Sequence, residues 1–527
     1  MSGIKVPSFI TPYTIRILKW ILIVIVGIVL FIFVAGRGIT YYANKKIHKA
    51  LESVGGQVGN LNVNLFFRRV TAYDFELNLP GDNTHPVPTT AHIKTIRLSS
   101  INLYQLIVNK KLRIGEILIE NGNVDFNKKI VRKDSTASSK KNPLQEIAIQ
   151  NIIIRRVKVS IVSDSVHEMS GVVNATFTDI QSPDSVSLSD IKKYGLKNLD
   201  IKISKLLITT PELYQIKVGS IQAISERQEL RVDSVMLVPR YSKFKFARVA
   251  GKQTDRINTF IKRIDVKGLD YSQLKDSAFV ASTIEIASGE LSSFRDKRLP
   301  FKETKNKPLP MAALKELSFG IEVDTIKIKD TKITYEEFPS DGFRSGKLVF
   351  ENLNATLVNL SNRPYYNKPD HATLNAKAML MGKGQIQATF LLPQKENEPY
   401  QAEGKIGNFP LHHLNPVLQN LAFINIESGK LNALNFKFNY TDKLSSGKLT
   451  INYEDLKING LKKEKSVIIN DFKTLLINTV VKNDKDKSVP TEKRTGTISF
   501  ERDRKRQIFN YWWKSLLSGI KSGVLDN

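Results

Sequence analysis

Histidines come first among the residues that could do chemistry, and this chain has seven: His48, His85, His92, His167, His371, His412 and His413. Only the last two are neighbours. Adjacent residues near a helix start do not form the i, i+4 pair by which one helical face holds a metal, so both read as polar surface. The complete absence of cysteine removes disulfides, thiolate metal sites and thiol nucleophiles. Gly382-Lys383-Gly384 lacks the strand, loop and helix context in which glycines cradle phosphate, and reads as a hairpin turn. The carboxylate neighbours Glu336-Glu337 and Glu454-Asp455 lie beside strands that alternate with lysine, which suits solvated faces better than an acid and base pair. No nucleophile elbow and no P-loop occur. The residues therefore predict a protein that is not an enzyme and carries no cofactor or metal.

Charge is the next signal. Seventy-nine Lys and Arg against 51 Asp and Glu leave +28, which implies acidic partners such as anionic lipid, lipopolysaccharide or nucleic acid. The basic residues are spread along the chain and alternate with apolar ones, as in Lys327-Ile328-Lys329 and Phe436-Lys437-Phe438. That pattern describes strand faces more readily than one dedicated patch. No helix-turn-helix, zinc finger or aromatic RNA-binding motif is present, and nucleic acid is not expected as a partner.

The elements that must position such residues begin with an apolar block. Trp20 to Ala35 reads WILIVIVGIVLFIFVA without a charge, with Trp20, Ile21, Leu22, Ile23, Val24, Ile25, Val26, Leu30, Phe31 and Phe33 as its membrane-facing candidates. The stretch 13–36 is long enough to cross a hydrocarbon core of ~30 Å. It exceeds a usual signal-peptide core, and Ala35-Gly36-Arg37 is a poor cleavage site, so an uncleaved anchor is expected. Lys5, Arg16 and Lys19 on one flank face Arg37, Lys45, Lys46 and Lys49 on the other, and local charge does not set the orientation.

After a short amphipathic helix over 41–54, ended by Gly55-Gly56, the apolar period becomes two. Leu434, Phe436, Phe438 and Tyr440 share one face of a half-buried strand, and Leu449 and Ile451 share a face of the next. Leu374 and Ala376, then Ile386 and Phe390, then Tyr400, Ala402 and Ile406 alternate in the same way, with turns at 381–384 and 393–399, and predict an antiparallel meander. A weak repeat recurs: two alternating apolar residues, a turn residue, then another apolar one. It occurs in Ile117 to Val124, Ile264 to Leu269, Ile284 to Leu291, Ile326 to Ile333 and Ile424 to Leu431. One supersecondary unit used many times predicts a long twisted sheet with a single apolar face, either filled by its own side chains or open as a trough.

Loops are expected at 132–143, 299–310, 361–369 and 481–495, the second dividing the body. Short helices are expected at 189–199 and 415–422, the latter with Asn415 as N-cap and Pro416 at its first position. Gln507 to Val524 returns to helical spacing, with Ile508, Trp512, Leu516 and Ile520 on one face and Trp513 beside them. It suits either an interfacial helix on a second membrane or a cap on the open end of the sheet. The organisation predicted is a tail (1–12), an anchor (13–36), two β-rich bodies (37–299 and 311–503) and an amphipathic helix (504–527).

This order of features resembles the AsmA-like family of Gram-negative envelope proteins. The likeness rests on the anchor, the repetitive β body, the passage LHHLNPVLQNLAFINIESGKL over Leu411 to Leu431, the strands that follow it, and YWWKSLLSGI over Tyr511 to Ile520. The resemblance implies inner-membrane anchoring with the body in the periplasm, no catalytic residues, and a groove that binds or conducts phospholipid acyl chains in outer-membrane biogenesis or maintenance. Leu374, Ala376, Ile386, Phe390, Leu434, Phe436, Phe438, Tyr440, Leu449 and Ile451 would line that groove. The partners it implies are the inner membrane, phospholipid including anionic species, and outer-membrane or other envelope proteins. The rival reading is an envelope scaffold whose β core is self-filled.

Overall fold

A computed structural model describes residues 55–64, 67–79, 89–127, 146–163, 166–181, 198–210, 213–363, 369–395, 397–460 and 492–525. The expected anchor at 13–36, the helix at 41–54, the loop at 132–143 and most of the helix expected at 189–199 lie outside these residues; Asn198 and Leu199 open a strand. Among the described residues no helix is long and apolar enough to cross a membrane.

The described chain is mainly β, as the period of two predicts, and it divides into two compact units. The first contains β1 (Gly56–Asn64), β2 (Arg69–Leu79), β3 (Thr89–Ser99), β4 (Lys111–Asn127), β5 (Glu146–Ser163), β6 (Val166–Gln181) and β7 (Asn198–Thr209), paired in chain order. The strands β8 (Tyr214–Ile224) and β9 (Glu229–Pro239) fall where the two units divide. The core of the first unit includes Phe75, Ile93, Leu98, Ile117 and Ile149, with Leu106 from the helix Leu103–Asn109 and Ile101 from just before it. Asn102 caps that helix, its side chain accepting from the Gln105 N–H at 3.0 Å.

The second unit runs in chain order through β10 (Asp255–Lys267), β11 (Ala278–Asp296), β12 (Gly320–Phe338), β13 (Gly346–Ser361) and β14 (His371–Leu380). It continues through β15 (Gly384–Pro393), β16 (Tyr400–Pro410), β17 (Ile424–Tyr440), β18 (Leu444–Gly460) and β19 (Glu492–Glu501). The expected meander is β14, β15 and β16. At its first turn Met381 and Gly382 both take positive φ (51° and 69°) and the Lys383 N–H returns to the Leu380 carbonyl, a hairpin turn of the mirror-image type. The loop expected to reach Thr495 ends sooner, because Glu492 to Thr495 are already paired with β18.

Among the pairings just named, two depart from the antiparallel rule: β4 with β5, and β11 with β12, are parallel. Parallel neighbours require a connection long enough to return to the starting end of the sheet. The Pro-rich stretch 299–310 is part of such a connection, within the second unit, and it leads into the short helix Pro310–Lys315.

The sequence repeat acquires a different meaning in three dimensions. Its turn residue sits inside long strands at Asn121 (β4), Ser288 (β11) and Asp330 (β12), each with φ between 44° and 55°, and at Gly429 (β17, φ 130°). Asn and Asp tolerate the left-handed region, and a single residue there bends a strand without ending it. The bends align between strands: Asn121 stands beside Arg156 of β5 (φ 52°), and Ser288 beside Asp330. At Arg156 and at Asp330 the bend frees a backbone N–H, and an asparagine on the following strand accepts it. Asn174 Oδ1 takes the Arg156 N–H at 3.0 Å, and Asn354 Oδ1 takes the Asp330 N–H at 3.3 Å.

Candidate functional site: the apolar face of the second unit

With strands in register, side chains at alternate positions form rows across the sheet. One row reads Val266, Ile284, Ile326, Leu357, Leu374, Phe390, Ala402, Phe438, Gly447 and Ile498, unbroken from β10 to β19. The next row reads Ile264, Ile286, Ile328, Ala355, Ala376, Ala388, Gly404, Phe436, Leu449 and Gly496. Ile386, Ile406, Leu434 and Ile451 begin a third, and Tyr400 with Tyr440 a fourth. All ten groove candidates therefore share one face. Leu434, Phe436, Phe438, Tyr440 and Leu449 are buried; Leu374, Ala376, Ile386, Phe390 and Ile451 are half-buried.

From β14 to β19 that face is covered by the protein itself. Trp512, from the helix Ile508–Leu525, stacks on Phe390 with centroids 4.4 Å apart, and meets Tyr440 edge-on. Tyr440 also stacks on Tyr400 and touches Tyr511. Burial drives the tyrosine pKa values up: Tyr440 well above its ordinary 10, Tyr511 to about 12, and Tyr400 upward despite backbone N–H groups of Met311 and Ala312 that hydrogen-bond its hydroxyl. Ile508, Leu516 and Ile520 pack against the same cluster, whereas Trp513 and Phe509 face outward, 52% and 74% exposed. Toward β10 the rows are less deeply buried: Ile264, Ile284, Ile286, Ile326 and Ile328 are half-buried, although Val266 is buried and the half-buried Leu357 packs against the same cluster.

The same helix closes the edge of β19. An outer strand leaves unpaired backbone N–H groups, and here Ser522 Oγ accepts from the Thr497 N–H at 2.9 Å and Ser518 Oγ from the Ser499 N–H at 3.1 Å. Such contact demands close approach, which glycine permits: a Cβ on Gly496 would fall on the Gly519 carbonyl, and one on Gly519 would press on Ile498 and Leu449. Ser515, fully buried, lies 2.7 Å from Ser445 Oγ and donates back to the Tyr511 carbonyl. These serines, at i, i+3 and i+7, were visible as a helical face but carried no obvious chemistry. Below the helix, the buried Arg502 pairs with Asp442 and donates to the Lys307 carbonyl at 2.5 Å, with its guanidinium over the Tyr511 ring. Burial lowers its pKa, and Asp442 opposes that shift.

Asn415 does not cap the helix Asn415–Leu421; Leu414 holds that position, at the end of a tighter turn over Leu411–Leu414. Asn415 instead clamps the start of β17, accepting from the Ile426 N–H and donating to the Ile426 carbonyl, both at 2.8 Å. The His412 and His413 rings lie 4.2 Å apart, and burial together with His412 lowers the pKa of His413. Among the described residues no three His, Cys, Asp or Glu side chains come together as a metal site. The anchor candidates Trp20 to Phe33 lie outside the described residues.

No family model matches the chain, and no curated protein matches it either.

Proposed function

We propose that the chain is a membrane-tethered, non-enzymatic envelope protein of AsmA type that holds phospholipid acyl chains on the apolar face of its sheet. The observation that carries this reading is the ten-strand run of apolar rows, half-buried where β10 to β13 present six Ile and Leu side chains in register. An acyl chain laid along those rows would be withdrawn from water at about 0.8 kcal/mol per methylene, with no chemical step required. Anchorage through 13–36, exposure of the body to the periplasm and service to the outer membrane belong to the same proposal.

A second reading has its own support. The stack of Trp512 on Phe390 and the buried Phe436, Phe438 and Tyr440 favour a self-filled core from β14 to β19, as a scaffold would have. The two readings divide the sheet between them, and the less deeply buried half tests the first. Photo-crosslinking residues placed at Ile286 and Ile328 in the full chain, irradiated in cells, should yield phospholipid adducts, while one at Phe438 should react with the protein itself. If Ile286 and Ile328 also give only internal crosslinks, the scaffold replaces the lipid carrier.

A further inference from the structure

The opposite, polar face of the second unit carries a groove of 720 Å³ that crosses six strands from β12 to β17. Each strand contributes three consecutive residues. The middle one belongs to the apolar row from Ile328 to Phe436 and offers its backbone as floor; its two neighbours point the other way and form the walls. None of the large side chains that flank that row on the apolar face touches the groove, which fixes it on the polar side.

One wall reads, strand by strand, Lys329, Asn354, Lys377, Gln387, Lys405 and Asn435, so that lysine and amide alternate. The lysines stand on every second strand and so recur about every 10 Å, twice the spacing between neighbouring strands. The other wall adds Lys327 and Lys437 among threonines, Asn375 and a single acid, Glu403, giving five lysines against one carboxylate. Glu403 pairs with Lys437 at 2.9 Å and Glu285 with Lys329 at 2.7 Å, but Lys327, Lys377 and Lys405 meet no carboxylate among the described residues. By contrast Lys332 and Lys430, on the same strands outside the groove, each face a glutamate.

We propose that this groove binds an extended acidic polysaccharide whose acid groups recur about every 10 Å, with the amides and hydroxyls between the lysines taking its sugar hydroxyls. The periodic cations match periodic anions along a strand-like ligand, and the neutral side chains suit a partner rich in hydroxyls. The aromatic residue of the groove's lining, Phe436, has its ring in the apolar core cluster beside Phe438, so the groove lacks the platform on which nucleic-acid bases stack. The proposal concerns the face away from the apolar rows and stands whether or not those rows hold lipid.

The test uses the full chain in detergent and hyaluronan oligosaccharides, which carry a carboxylate on every second sugar, with neutral dextran and single-stranded oligothymidylate as comparisons. Hyaluronan should bind in a salt-sensitive manner, and the double variant Lys377→Gln with Lys405→Gln should weaken it about tenfold while Lys347→Gln, outside the groove, leaves it unchanged. Dextran binding as tightly as hyaluronan, oligothymidylate binding as tightly as hyaluronan, unaltered affinity in the double variant, or no hyaluronan binding at all would each overturn the assignment.

Discussion

Asn415 is a residue whose neighbours point one way and whose side chain acts another. A polar residue ahead of proline at a helix start carries the N-cap signature, yet its amide spans to β17 and satisfies both backbone groups of Ile426. Replacing it with alanine should therefore leave the helix Asn415–Leu421 in place and cost about 1–3 kcal/mol through two unpaired buried backbone groups. Chemical denaturation measures the loss, and a helix that melts locally with no change in global stability would contradict the clamp. The buried tyrosines make a second prediction at this scale. Burial raises the pKa values of Tyr335, Tyr440 and Tyr511 above the ordinary 10, so in the unfolded chain they ionise first. Their contribution to stability is complete below pH 10 and is lost as pH rises past that value. Tyrosinate absorbance should rise in two steps, the second coinciding with unfolding as seen by circular dichroism; a single step near pH 10 with the fold intact would refute it.

At the scale of elements, the helix Ile508–Leu525 does two jobs with two faces, covering aromatics with Trp512 and closing β19 with Ser518 and Ser522. Trp512→Ala should remove about 3 kcal/mol of stability through lost packing on Phe390 and Tyr440, while Trp513→Ala, on the outward face, should cost little. Thermal unfolding of the two variants distinguishes them, and equal shifts would mean that the helix is seated differently. Strand periodicity made the rows of β14 to β18 readable in advance, because alternation at Leu434, Phe436, Phe438 and Tyr440 determines which side chains share a face and antiparallel order fixes the partners. The helix's apolar spacing was readable too, but not what it covers: docking depends on Gly496 meeting Gly519 and Gly523, three small residues whose value appears only when two backbones touch. The parallel pairing of β11 with β12 was hidden for a similar reason, since a loop of given length fits either a return or a crossover.

Across the whole molecule the same module is built twice. In each unit a strand leads through a short helical turn, Leu103–Asn109 or Gln273–Asp276, into a bent strand. That strand pairs in parallel with a second bent strand, and an asparagine on the next one closes the bend. Three copies of the repeat read from sequence, at Ile117 to Val124, Ile284 to Leu291 and Ile326 to Ile333, are the trace of this module, though a turn residue inside a strand could not be told from one between strands until the register was known. Asn174→Ala and Asn354→Ala should thus have parallel effects, each exposing an unpaired N–H at its bend and each raising amide exchange locally at Arg156 or Asp330. Protection unchanged at both amides would show that the bends do not rely on these side chains.

Sealing β19 with a helix has a consequence for how such a ladder can change in length. A neighbouring chain or an extended peptide finds the middle rungs on that side taken, because the outward amides of Thr497 and Ser499 are already occupied. Hairpins spliced between existing strands would keep both the closure and the rows intact. Residues joined beyond the seal would first have to pry the helix away, giving up its seat on Phe390 before forming their first bond.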